Sequence, residues 1–106
     1  MVLAEIKPVS RTKMKVSGKQ IAAARELLGI TQPELAAAAS VSDKTIVNFE
    51  TNKTEPYPAT LEKILTELER RGIEFSNGDG AGVRINYAKA AEFARMTTQS
   101  RSDSDQ

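Results

Sequence analysis

Two helix-start signals close together near the beginning of the sequence constrain its fold more than any other feature. Ser17 and Gln20, and again Thr31 and Glu34, have the spacing of a capping box, in which two side chains satisfy backbone N–H groups at a helix start. Gly29 stands between the two boxes, and glycine is the residue that most readily ends a helix in the left-handed conformation. The sequence therefore predicts short helices joined by tight turns.

Two further helices are expected after the second capping box. Ser42 is placed to cap a third helix, and Pro58 suits the first position of a fourth, where its missing N–H would have no partner within the helix. Apolar residues recur at helical spacing in these segments, so each helix has one face to bury. The predicted helices cover about residues 18–28, 32–39, 43–51 and 58–71.

The hydrophobic period changes from that of a helix to that of a strand after Gly72. Segments 73–76 and 83–87 alternate apolar and polar residues, and the run of Gly, Asn and Asp between them favours a loop. We therefore predict a mainly α fold, a bundle of four helices followed by a β-hairpin. Because an isolated hairpin is marginal in water, it must pack on its own helices or on a second chain.

The first sixteen residues differ in composition from the helical segment. Lys7, Arg11, Lys13 and Lys15 stand there against a single acidic residue, so residues 1–16 are expected to form a basic arm. One interpretation is a flexible tail without a role. The other is an arm whose Arg11, Lys13 or Lys15 reaches phosphates or a minor groove, as arms of other DNA-binding folds do.

The C-terminal part of the chain is less regular. Residues 88–96 suggest one more short helix, whereas residues 97–106 are almost all polar and are expected to be disordered. The predicted organisation is thus an arm at 1–16, a helical domain at 17–72, a hairpin with a short helix at 73–96 and a tail at 97–106.

The composition excludes several kinds of active site. The 106 residues include neither Cys nor His, so disulfides, thiolate metal sites and histidine bases are excluded. No constellation of carboxylates, Ser or Lys suggests catalysis, and we expect no enzyme, no metal and no cofactor. With a net charge of +1, any basic surface must be local. Neither a signal peptide nor a membrane span is recognisable, so a cytoplasmic protein is expected.

The predicted third helix has one face that is unusual for a helix surrounded by water. Ile46 and Phe49 share a face that must be buried, which leaves Lys44, Val47 and Asn48 on the opposite face. Asn48 could read adenine, Lys44 guanine or a phosphate, and Val47 a thymine methyl group. The alternative is that Val47 is an isolated surface apolar residue, which is common in soluble proteins.

The order of these signals resembles a known family. The run Thr31-Gln32-Pro33-Glu34-Leu35-Ala36, then Val41-Ser42, Thr45-Ile46 and Phe49-Glu50, is similar to the lambda-repressor-like regulators, also called the Cro/CI or XRE family. The resemblance covers about residues 17–71. It implies a bacterial helix-turn-helix domain that binds double-stranded DNA with its third helix in the major groove.

The resemblance also implies roles for individual residues. Those matching base-contacting positions are Asp43, Lys44, Thr45, Val47 and Asn48, and those matching phosphate-contacting positions are Gln32, Ser42, Thr51, Lys53 and Thr54. Arg25 and Glu50 match a structural ion pair between the first and third helices. Ser40 and Asn52 depart from the family, which often has glycine there, so the turn at Ser40 is expected to differ slightly.

Specific operators usually consist of two half-sites that are read by a two-fold dimer. The hairpin is the natural dimerisation element because its strand edges need partners. We therefore expect a homodimer, with an interface at or beside Ile73, Phe75, Val83, Ile85 and Tyr87. The alternative is that the hairpin folds back on the fourth helix of its own chain.

Three functions remain open at this point. The first is a sequence-specific transcriptional regulator, most simply a dimeric repressor at a palindromic operator. The second is an antitoxin or accessory protein that binds DNA and captures a partner protein. The third is a protein-interaction module that no longer binds DNA. The segment after the helical domain is too short for a small-molecule sensing domain, so no such ligand is expected.

Overall fold

The computed structural model describes residues 15–105, with side chains as far as Thr97. Helices α1 (Gly18–Leu28), α2 (Gln32–Ala39), α3 (Asp43–Glu50) and α4 (Pro58–Arg70) are followed by strands β1 (Ile73–Ser76) and β2 (Gly82–Ile85) and by helix α5 (Tyr87–Asp105). This architecture confirms the predicted fold class of a helix-turn-helix bundle with a C-terminal hairpin.

Local hydrogen bonds set the ends of the first two helices. Both capping boxes form: the Ser17 hydroxyl accepts from the Gln20 N–H, and the Thr31 hydroxyl accepts from the Glu34 N–H. Gly29 ends α1 in the left-handed conformation with φ 70°. The boundaries of α1 and α2 therefore follow from residues within one turn of each helix end.

The turn between α2 and α3 places a non-glycine residue in a strained conformation. Ser40 has φ 62° and ψ 44°, in the left-handed region where a side chain costs about 1 kcal/mol. Its N–H and that of Val41 still donate to the last carbonyls of α2, at 3.2 and 2.9 Å. Ser40 therefore takes the conformation that glycine usually provides, and the turn closes without one.

The core lies where the four short helices and β1 meet. Its six largest fully buried side chains come from five different elements: Ile21, Leu35, Ile46, Ile64, Leu68 and Ile73. Val16 is only 3% exposed and belongs to this core. The predicted basic arm therefore ends at Lys15, because the chain enters the core one residue later; residues 1–14, including Arg11 and Lys13, lie outside the described residues.

The hairpin packs on its own chain. Its strands are antiparallel, with Ile73 opposite Ile85 and Phe75 opposite Val83. These four apolar side chains pack on the core, with β2 against α1 and β1 against α4. Ile73 is 1% exposed, so it is unavailable to a second chain, in contrast to its predicted place at an interface.

The second strand ends earlier than predicted. Asn86 donates its N–H to the Gly72 carbonyl, and its side-chain oxygen accepts from the Lys89 N–H at 3.1 Å. This acceptor is a helix cap, so Tyr87 begins α5 instead of extending β2. The prediction that Tyr87 belongs to the strand is therefore corrected: its side chain is 79% exposed at a helix start.

Helix α5 is attached at its first half. Phe93 lies between the guanidinium groups of Arg70 and Arg71, each 4.8 Å from the ring centre. Both arginines also pair with Glu67, whose side chain is almost fully buried. The helix continues to Asp105, past residue 96 and through a segment predicted to be disordered.

Candidate nucleic-acid interface

The third helix is held in place by its inner face. Ile46 is 0% exposed and Phe49 is 4% exposed, and α3 packs against both α1 and α2. Ser42 caps the helix by accepting from the Thr45 N–H at 3.1 Å. Because the inner face is fixed, the side chains on the outer face have a defined position on the surface.

Four of the five predicted base-contacting residues are available on that outer face. Asp43 and Lys44 are exposed, and Val47 and Asn48 are half-buried. Among residues 15–97, no hydrogen bond or ion pair holds the side chains of Asp43, Lys44 or Asn48. Their donors and acceptors are therefore free to interact with another molecule.

Thr45 differs from those four. Like Val47 and Asn48 it is half-buried, but its hydroxyl lies 2.9 Å from the Ser42 hydroxyl. If Thr45 donates in this pair, the Ser42 hydroxyl accepts from two groups and its own proton points outward. With that assignment, Ser42 is the member of the pair that donates to a bound phosphate.

The loop after α3 carries three predicted phosphate contacts with unequal availability. Lys53 and Thr54 are exposed, and both N–H groups donate to the Asn48 carbonyl, which keeps the loop against the helix end. The Thr51 hydroxyl donates to the Val47 carbonyl at 2.7 Å. Because a phosphate needs a donor, Thr51 would have to break this bond to bind one.

Arg25 and Glu50 form a two-pronged ion pair between α1 and α3. Arg25 Nε and Nη2 donate to the two Glu50 oxygens at 2.9 and 3.1 Å, and Nη1 donates to the Ile30 carbonyl. The hydrogen bond to Glu50 is the main reason that the pKa of Arg25 is raised above its ordinary value. Only 15% of the Arg25 side chain and 5% of the Glu50 side chain are exposed, so the pair is largely shielded from water.

Gln32 joins this pair, a contact that the sequence spacing did not reveal. Its side-chain nitrogen donates to Glu50 Oε1 at 2.9 Å. One of its two N–H bonds is therefore committed and the other remains for a phosphate. Glu50 thereby orients a residue at the start of α2 as well as tying α1 to α3.

The predicted arm begins beside the loop after α3. Lys15 Nζ lies 3.6 Å from Glu55 Oε2, and both side chains are well exposed. Gly18 is close to the end of α3, since a Cβ there would collide with the Phe49 carbonyl oxygen. The start of α1 and the end of α3 are therefore adjacent on the surface.

The family model for helix-turn-helix domains matches residues 21–75, about half of the chain. The chain belongs to this family. Within it, the match is to the Cro/CI/XRE type, so the protein is a DNA-binding transcription regulator in general terms. The matched segment includes most of α1, all of α2 to α4 and most of β1, and it stops before β2 and α5. No curated protein matches the chain.

Between Lys15 and Thr97, no group of three or more carboxylates is arranged to hold a metal ion. None of the described helices is both long and apolar enough to cross a membrane.

Proposed function

We propose that this helix-turn-helix protein is a sequence-specific repressor that binds a palindromic operator as a homodimer. The observation that carries the proposal is the outer face of α3, where Lys44 and Asn48 are free of partners within the described residues. A fixed helix with free polar groups is suited to hydrogen-bond base edges in the major groove.

The base contacts are assigned by the chemistry of the side chains. Asn48 offers a donor and an acceptor to adenine, Lys44 donates to guanine, and Val47 contacts a thymine methyl group. Asp43 accepts from the cytosine amino group, and its charge is also favourable at the start of α3. Thr45 is the fifth proposed base contact, and its hydroxyl also lies within hydrogen-bond distance of the Ser42 hydroxyl.

The phosphate contacts surround α3. Ser42 precedes α3, Lys53 and Thr54 follow it, and Gln32 lies beside Glu50 at the C-terminal end of the helix. Lys53 supplies the charge, and Gln32 supplies an oriented neutral donor that Glu50 holds in place. These contacts fix the position of the protein on the duplex without reading its sequence.

The basic arm and the dimer complete the proposal. Arg11, Lys13 and Lys15 neutralise phosphates beside the half-site, since Lys15 already lies next to the loop after α3. The exposed Tyr87 ring, together with the rims of Phe75, Val83 and Ile85, contacts a second copy. Such a dimer would put two α3 helices on half-sites about 34 Å apart, or a multiple of that distance.

A selection of bound duplexes from a random pool tests the sequence-specific part. We expect a palindrome, and we expect Asn48→Ala to relax the preference at one base pair of each half-site at a cost of about 1–3 kcal/mol. Lys53→Ala is the matched control, because it should weaken binding to every sequence similarly. A pool that shows no enrichment with the wild-type protein would overturn the proposal.

A further inference from the structure

The side chain of Asn77, in the hairpin loop, bridges the hairpin and the first described residue of the chain. Its amide nitrogen donates to the Lys15 carbonyl at 2.6 Å, although the two residues are far apart in sequence. Asn77 is half-buried, and its bond to the Lys15 carbonyl lies at an exposed position. The hairpin loop is thereby joined to the point where the basic arm leaves the folded domain.

Gln20 fixes the orientation of the Asn77 amide. Its side-chain nitrogen donates to Asn77 Oδ1 at 3.1 Å and also lies within hydrogen-bond distance of the carbonyls of Ser76 and Gly82. Gln20 is itself 5% exposed and is held by its capping bond from the Ser17 N–H. Because Oδ1 of Asn77 faces Gln20, its Nδ2 faces the Lys15 carbonyl.

The contact between Asn77 and Lys15 lies on the side of the molecule that carries the proposed DNA contacts. Lys15 is within ion-pair distance of Glu55, two residues after Lys53. The close approach of Gly18 to Phe49 places the start of α1 at the C-terminal end of α3. A chain that continues from Lys15 in the N-terminal direction therefore starts beside the phosphates that flank a bound half-site.

We propose that Asn77 is a positioning residue for DNA binding: by holding the Lys15 carbonyl, the hairpin loop fixes the attachment point of the basic arm beside the proposed phosphate contacts. This assigns the hairpin loop a role within one protomer, whether or not the hairpin contacts a second copy. The proposal rests on the arm contacts of the proposed function. The proposed effect of Asn77 is entropic, because phosphate contacts made from a fixed attachment point cost less conformational freedom.

The test is a double-mutant cycle in the full-length chain. Asn77→Asp keeps the acceptor for Gln20 but replaces the donor to Lys15 with a carboxylate oxygen. The other variant in the cycle carries Arg11→Gln together with Lys13→Gln, which removes two charges of the basic arm. For each protein, affinity for a selected duplex is measured by fluorescence anisotropy over a salt series.

We expect Asn77→Asp to weaken binding roughly threefold to tenfold at low salt and to reduce the slope of log K against log salt by about one or two. When Asn77→Asp is added to the arm substitutions, the DNA affinity should fall no further than with the arm substitutions alone. The arm has then already lost the charges that contact phosphates. Gly78→Asp is the matched control for added negative charge, since no atom would contact its Cβ. It should stay close to the wild type.

Three outcomes overturn the proposal. In the first, Asn77→Asp has the same DNA affinity and salt slope as the wild type. In the second, Gly78→Asp loses as much affinity as Asn77→Asp. In the third, the affinity losses of Asn77→Asp and of the arm substitutions multiply when they are combined. If thermal unfolding shows that Asn77→Asp is not folded, Asn77→Ala takes its place in the same cycle. The cycle is repeated on a scrambled duplex, where phosphate contacts persist, so a failure of sequence-specific reading is distinguished from a failure of arm positioning.

Discussion

Glu50 is the residue on which the arrangement of the first three helices depends. It accepts two bonds from Arg25 on α1 and one from Gln32 at the start of α2. A carboxylate can satisfy three donors in this way because its two oxygens offer several lone pairs. The same side chain therefore holds the bundle together and orients a proposed phosphate contact.

Removal of one partner of this pair should be more damaging than removal of both. We expect Arg25→Met to lower the free energy of unfolding by about 3–5 kcal/mol, because it leaves the Glu50 charge shielded from water without its main partner. The measurement is denaturant unfolding followed by circular dichroism. In the double variant Arg25→Met with Glu50→Met, the loss should be smaller than in the single variant; an additive loss would contradict this interpretation.

At the residue scale, sequence spacing predicted contacts within one helical turn, and the family resemblance implied the Arg25–Glu50 pair, whereas other contacts between distant segments were missed. The capping role of Gln20 follows from its spacing to Ser17, but its bonds to the hairpin carry no local signal. Val16 was assigned to the arm because a single apolar residue among polar ones has no period. Its burial depends on a pocket that several elements build together.

At the element scale, the two faces of the hairpin have different tasks. The apolar face packs on the core, and the opposite face carries Glu74, which accepts from Arg84 at 2.7 Å and from Asn86 at 3.0 Å. The alternating pattern predicted which face is apolar. The pattern could not predict what covers that face, because the helices of the same chain and a second chain both offer an apolar surface.

The hairpin should lose stability in acid through Glu74. The hydrogen bonds from Asn86 and then Arg84 lower the pKa of Glu74 below its ordinary value of 4.5. Because the folded-state pKa is the lower one, this contribution is present above the ordinary value and is lost as the pH falls through the folded-state value. We expect hydrogen-exchange protection of the β1 and β2 amides to decrease over that range.

Glu74→Gln is the matched variant for this measurement. It cannot titrate, so its hairpin protection should be lower at neutral pH and should change less in acid than that of the wild type. If both proteins lose hairpin protection in parallel as the pH falls, other carboxyl groups are responsible and the interpretation fails.

At the scale of the whole molecule, the family match and the remaining elements divide the protein into two parts. Residues 21–75 form the helix-turn-helix part, and β2 with α5 completes the chain outside it. The added part leaves large apolar side chains exposed on α5, with Tyr87 at 79% and Met96 at 53%. Leu27 and Tyr57 in the helix-turn-helix part are exposed as well, so the proposed dimer surface at α5 and the adjacent hairpin end needs a direct test.

The dimer should therefore depend on Tyr87. By light scattering, we expect the wild type to have twice the monomer mass of 11.5 kDa and Tyr87→Asp to have the monomer mass at the same concentration. Tyr57→Asp is the control, because Tyr57 is equally exposed, at 82%, but precedes α4. A monomeric wild type at concentrations that saturate DNA, or the same change in both variants, would contradict the dimer.

The freedom of the α3 outer face has a consequence for how such a regulator changes over time. Within the described residues, the side chains of Lys44 and Asn48 form no hydrogen bond or ion pair. By contrast, Ile46 and Phe49 are buried in the core, and Glu50 pairs with Arg25. Exchanges at the first two positions should leave the scaffold intact while redirecting it to other target genes. A lineage of such proteins can therefore rewire its regulation without having to reinvent its architecture.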